Sequence, residues 1–212
     1  MNLELPEVYL ARHGQTSWSV SGRHTGRTDI PLTERGEDNA RKLRGRLEGI
    51  TFTEVLVSPL RRARQTCELA GFGTVAQLTP DLMEWDYGDY EGRLTSEIRH
   101  DRPGWYLFRD GCPGGESLVT ISARADRLIA RLHNDAGRIL LFGHGHFSRI
   151  LTTRWIKLPV ENARHFMLST ASVSVLGYEH TQSDPAIKLW NDDHHITADS
   201  QESPRDTADK TL

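Results

Sequence analysis

The chain is short of the features that staple, metallate or anchor a protein. It has 212 residues but only two cysteines, Cys67 and Cys112. They lie far apart and match no ligand pair or redox spacing. Two free thiols in a reducing compartment are therefore expected. No H-E-x-x-H and no Cys-Cys ligand pair occurs, and His144-Gly145-His146 and Asp192-Asp193-His194-His195 hold ligand-type side chains without a complete set. No metal is expected from them. No apolar run approaches the ~20 residues that span a bilayer. The opening MNLELPEVYL lacks a basic stretch followed by an apolar core, so it does not read as a secretory signal. A formal net charge of -3 leaves no bulk basic field for nucleic acid. No linker-like stretch and no internal repeat divides the chain. The expectation is a soluble cytoplasmic protein with one domain over 1–196, long enough for a large core. The polar end over 197–212 reads as a disordered tail. Oligomeric state has no signature here.

Against these absences stand short apolar strands alternating with amphipathic helices. Strands are expected at Glu7–Ala11, Glu54–Val57 and Arg138–Phe142. Helical spacing places Ala40, Leu43 and Leu47 on one face of Thr33–Glu48, and Leu118, Ile121, Ala125, Leu128 and Leu132 on one face of Ser117–Asn134. Ser58-Pro59 looks like a helix start, with Ser as N-cap and Pro at the first helical position, and Gly71 as the stop. Another helix is expected over Phe147–Leu158. Ser172–His180 and Ala186–Asn191 alternate as strands around a Gln182-Ser183-Asp184-Pro185 turn, a hairpin at or near the sheet edge. The fold class is α/β: a three-layer α/β/α sandwich with a mostly parallel central sheet.

Sites in such sheets form beyond the carboxyl ends of the strands. Arg12-His13-Gly14, Ser58 to Arg62 and His144-Gly145-His146 each follow a predicted strand, so three reactive clusters share one edge. An Arg-His pair in a loop is by itself ordinary surface; three such clusters on one edge are not. Positive charge in SPLRRARQT opposes the dipole of the helix it begins, which leans toward anion binding. A phosphomonoester needs cations for its oxygens, an in-line nucleophile and an acid for the leaving alkoxide. Arg12 and Arg62 are candidate clamps, since a guanidinium fork pairs with phosphate. His13 and His144 are candidate imidazoles, one of them a nucleophile, and Glu84 is a candidate acid.

These residues resemble the histidine phosphatase superfamily, also called phosphoglycerate-mutase-like. Leu10-Ala11-Arg12-His13-Gly14-Gln15-Thr16 resembles its Arg-His-Gly signature, and the likeness continues through Trp18, Gly22 to Gly26, Asp29, Pro31-Leu32-Thr33 and Gly36. Ser58 to Thr66, Glu84 to Gly92, Gly114 to Ser117 and Gly143-His144-Gly145 are similar to the later motifs, in the family's order. The resemblance implies that His13 becomes phosphohistidine without a cofactor. Arg12, Arg62 and His144 would hold the phosphoryl oxygens, and Glu84 would carry the proton. The Gly145 N–H, near a helix start, could add an anion contact. Ser19 stands where many members have a phosphate-touching Asn. Thr25, Gly26 and Tyr87 fall at positions that commonly line the substrate side.

The family holds mutases and phosphatases. Where cofactor-dependent phosphoglycerate mutases place a Lys beyond the proton donor, this chain has Thr95, and only Thr95 to Gly114 is available where mutases carry a longer insertion. Both departures imply water as acceptor. Glu84 to Gly92, Arg109-Asp110-Gly111-Cys112 and His144-Gly145-His146 resemble sugar-phosphate phosphatases of the sedoheptulose-1,7-bisphosphatase-like kind. The partner implied is a small phosphate ester, a sugar or polyol phosphate. The alternatives are mutase-type transfer and a non-catalytic module that binds a phosphate ligand.

Overall fold

The computed structural model describes residues 5–197. The tail read over 197–212 thus lies outside the described residues, apart from Thr197. Six strands form one sheet: β1 (Glu7–Arg12), β2 (Glu54–Val57), β3 (Gln77–Leu78), β4 (Arg138–Gly143), β5 (Val173–Tyr178) and β6 (Pro185–Asp192). Their order is β3-β2-β4-β1-β5-β6. The first four run parallel, and β5 and β6 form an antiparallel hairpin that closes one edge. The helices are α1 (Ser17–Ser21), α2 (Glu34–Leu47), α3 (Arg61–Leu69), α4 (Thr95–Asp101), α5 (Leu107–Asp110), α6 (Leu118–Leu132), α7 (Gly145–Trp155) and α8 (His194–Thr197). None of them is long and apolar enough to cross a membrane.

Strand alternation creates the layers. Val8, Leu10, Ile139 and Leu141 pack with Ile121, Leu128, Phe147 and Leu151 of α6 and α7. The intervening Ala11, Leu140 and Phe142 pack with Leu43 and Leu47 of α2 and Ala63 and Cys67 of α3. Side chains of neighbouring positions thus feed two cores, one on each face. The helix ends follow local rules where a cap is free to act. Thr33 Oγ1 accepts from Gly36 N at 3.1 Å, and Ser117 Oγ accepts from Thr120 N at 3.1 Å.

Two helix starts differ from the sequence expectation. α3 begins at Arg61 with Leu60 at its N-cap and no side-chain cap. Ser58 stands two residues before that cap, where its Oγ accepts Leu60 N at 3.4 Å and lies 2.7 Å from His144 Nε2 across the sheet edge. The stop is as expected: Gly71 takes the left-handed conformation at φ 91°. α7 begins at Gly145, two residues before the expected Phe147, and ends at Trp155. This early start turns the first amides of the helix toward Glu84. Both cysteines are free, and burial pushes the Cys67 thiol up to about 12.

Candidate active site

Parallel β1, β2 and β4 deliver Arg12-His13, Ser58 and His144 to the same edge. His13 N donates to Gly143 O at 3.0 Å, and Ser58 N to Phe142 O at 3.0 Å, which extends the sheet pairing into the site. Gly14 N donates to Thr66 Oγ1 at 2.9 Å, and Thr66 Oγ1 donates to Arg62 O at 2.7 Å. This chain of bonds locks the His13 loop to α3.

His13 Nδ1 lies 2.7 Å from Gly14 O, an acceptor only. Nδ1 must therefore carry the ring proton, and Nε2 keeps its lone pair. Burial, then the charges of Arg62 and Arg12, hold the His13 pKa well below 6.5. His144 stands beside it with ring centroids 5.2 Å apart. Its pKa is pushed well down by burial, then by Arg62, His13 and Arg12. Both imidazoles are neutral at pH 7.

The two arginines are held differently. Arg62 is fully buried and donates to Thr28 O at 3.0 Å, Gly26 O at 2.9 Å and Thr25 O at 3.1 Å. Arg12 donates through Nη1 to Leu168 O. Gly145 packs on the Arg12 guanidinium: a Cβ there would lie 3.2 Å from Cζ. Arg12 Nε, Arg62 Nε and His144 Nδ1 are buried and have no hydrogen-bond partner among the described residues. Leaving a buried polar group unpaired costs roughly 1–3 kcal/mol. The three residues stand near His13, and their unpaired nitrogens are candidate donors to an oxyanion.

Glu84 is buried and accepts three backbone N–H groups. Oε1 takes Trp85 N at 2.9 Å and Phe147 N at 2.8 Å, and Oε2 takes His146 N at 3.0 Å. Two of these amides belong to the first turn of α7, a natural seat for a carboxylate. Arg124 fixes the segment from behind, donating to Met83 O at 2.6 Å and to Glu116 at 2.7 and 2.9 Å. Its guanidinium also lies over the Phe147 ring at 4.2 Å.

A cavity of about 270 Å³ is lined by Arg12, His13, Glu84 and Gly145, whereas Arg62 and His144 are buried beneath the surface and do not line it. Ser19, Thr25 and Tyr87 also line it. The Ser19 hydroxyl, however, donates to Thr16 O at 2.9 Å within the cap of α1. Gly26 sits behind the wall. It donates to Glu91 and supplies a carbonyl to Arg62, and a Cβ there would lie 2.4 Å from Trp85 O. Its place is to let backbone approach backbone.

Further lining residues include His24, His146 and Arg149, which the sequence did not single out for it, and Thr95, the counterpart of the mutase lysine. Tyr87 OH lies 2.5 Å from His146 Nδ1, and His24 Nε2 lies 3.3 Å from Thr95 Oγ1. His146 is held neutral by burial, then by Arg149 and His24. Its signal was present in His144-Gly145-His146, which reads more readily as a metal fragment. Among the described residues, no three of His, Cys, Asp and Glu are gathered as a metal would need.

Neutral buried imidazoles have a consequence for stability. The unfolded chain binds protons on these rings near 6.5, whereas folded His13 and His144 take them up only well below that value. The stability they support is complete above about pH 6.5. It is lost as pH falls toward the folded values, by up to about 1.4 kcal/mol per pH unit for each ring. A falling Tm between pH 7.5 and 5 is expected in thermal melts of the ligand-free chain. A Tm that is flat or rises over that range contradicts neutral burial.

Around the carboxyl edge of the sheet the fold thus gathers two imidazoles, two arginines and a carboxylate, a candidate phosphoryl site. The chain belongs to the histidine phosphatase superfamily (branch 1), whose pattern matches residues 8–193. An acid phosphatase of Mycobacterium tuberculosis is 42% identical over 185 residues, covering 85% of this chain and 90% of its own. Sedoheptulose 1,7-bisphosphatase of Saccharomyces cerevisiae is 34% identical over 252 residues, covering 87% and 92%. A solved structure of an open reading frame from Mycobacterium tuberculosis has a TM-score of 0.81 at 40% identity, covering 87% of this chain and 96% of that one.

Proposed function

We propose that the chain is a phosphatase that hydrolyses a small sugar or polyol phosphate through a phosphohistidine on His13. The observation that carries this reading is the fixed tautomer of His13: Nδ1–H is tied to Gly14 O, and Nε2 is left free beside three unpaired buried nitrogens. In the first step Nε2 attacks phosphorus, the ester P–O bond breaks, and Glu84 gives its proton to the leaving oxygen. Arg12, Arg62 and His144 hold the phosphoryl oxygens through the transfer. In the second step water attacks the phosphohistidine, Glu84 takes a proton from it, and inorganic phosphate leaves with His13 restored.

Hydrolysis rather than mutase-type transfer is supported by Thr95, which lines the cavity at the position where mutases carry a lysine. Thr95 is hydrogen-bonded to His24, and neutral His146 pairs with Tyr87. These are hydrogen-bonding groups suited to hydroxyls, with Arg23 and Arg149 lining the same cavity. The names of the acid phosphatase and bisphosphatase relatives support the same reaction class. A screen of phosphorylated metabolites for phosphate release tests the reading, and the best hits should be sugar or polyol phosphates. No release from any ester would defeat it. Since every proposed role belongs to a side chain, turnover is expected to be unchanged in EDTA. Inactivation by the chelator, reversed by a divalent cation, would show that the reading omits a metal.

A further inference from the structure

Ser58 plays no part in the chemistry above, and its expected role as a helix cap is not the one it has. It follows β2 directly, and its side chain crosses to His144, which follows β4. Both residues are fully buried, and Oγ lies 2.7 Å from Nε2. Leu60 N donates to Ser58 Oγ at 3.4 Å, which takes one of the oxygen's two lone pairs and leaves its proton available to His144. The other ring nitrogen of His144, Nδ1, is buried with no partner among the described residues.

A neutral imidazole carries one ring proton, so its two nitrogens have opposite roles. If Nε2 held the proton, it would donate to Ser58, and Nδ1 would present a lone pair that repels a phosphoryl oxygen. If Ser58 donates to Nε2, Nδ1 carries the proton and becomes a hydrogen-bond donor. We propose that Ser58 is a positioning residue that fixes His144 as its Nδ1–H tautomer and so makes it a donor to the phosphoryl group. The assignment and its effect on turnover both rest on the phosphatase reading above, but the tautomer is read by an experiment that needs no turnover.

Long-range 1H–15N correlation on chain labelled with 15N-histidine reads the tautomer directly. The His144 signals are identified as those missing from His144→Gln. In the wild-type chain at pH 7 we expect a protonated Nδ1, an unprotonated Nε2, and a displaced Nδ1–H signal when inorganic phosphate is added. The reverse protonation pattern overturns the assignment whatever the activity. In Ser58→Ala the fixed pattern should be lost. Phosphate affinity and kcat/KM should then fall about ten- to hundredfold, the loss of one hydrogen bond to a charged group. Ser58→Thr, which keeps the hydroxyl, should restore both. A Ser58→Ala chain that retains Nδ1–H and full phosphate affinity overturns the proposal. Should the Ser58 variants fail to fold, the wild-type spectrum and phosphate titration decide alone. Phosphate that moves the His144 Nδ1–H signal in a chain that hydrolyses no ester would defeat the phosphatase reading and uphold the donor role.

Discussion

Replacing His13 with alanine is expected to abolish measurable phosphate release, with a loss in kcat on the order of 10⁴- to 10⁶-fold for removal of a nucleophile. The fold should survive. His13 has one side-chain hydrogen bond, to Gly14 O, and the loop is held by backbone bonds to Gly143 and Thr66. Binding should survive in part as well, because Arg62 keeps its three carbonyl partners and Arg12 keeps Leu168 O. The expected signature is a folded chain that still binds phosphate and turns nothing over. Steady-state kinetics on the best ester, with circular dichroism as the check on folding, measures it. Full turnover in His13→Ala would remove His13 from the mechanism.

Glu84→Gln should cost about 10²- to 10⁴-fold in kcat on an alkyl phosphate, the usual contribution of a positioned acid–base group. The amide has no proton to deliver to the leaving oxygen and cannot take one from water. It also carries an NH2 where the carboxylate has an acceptor. Three backbone N–H groups converge on the two oxygens of Glu84, so at least one donor would then face a donor. A lowered Tm is therefore expected beside the kinetic loss. With 4-nitrophenyl phosphate, whose leaving group needs no proton, the first step should be largely spared and the second should not. Rapid mixing should show a burst of 4-nitrophenol followed by slow turnover. Unchanged kcat on an alkyl phosphate would displace Glu84 from its role.

Much of this site was legible in the sequence because the chemistry lies in contiguous motifs at strand ends. Arg12-His13 after β1 and His144 after β4 could be placed on one edge from strand pattern alone, and the structure brings them there. Glu84 could be named only by resemblance, since nothing in an acidic, aromatic loop says which carboxylate will meet the amides of α7. The start of α7 at Gly145 was missed for the same reason: the gain comes from Glu84, 62 residues before the His146 amide it accepts. Ser58 shows the limit most clearly. Ser-Pro is a sound local signal for a helix start, but α3 begins two residues after Pro59, and the Ser58 hydroxyl meets His144 across the sheet edge. His24, Thr95 and the α7 pair His146 and Arg149 come from three separate segments and converge only in the folded cavity, so no spacing announces that they share it.

The central claim is a covalent phosphate on His13. Quenching the Glu84→Gln chain during turnover of 4-nitrophenyl phosphate carrying radiolabelled phosphorus, followed by peptide mapping, tests it most directly, because with that leaving group the first step is spared, the second is slowed and the intermediate should accumulate. Acid-labile, base-stable label on the peptide containing His13, absent when His13→Ala is added, is the predicted result. Label on any other residue, or label that survives in the double variant, would contradict the account.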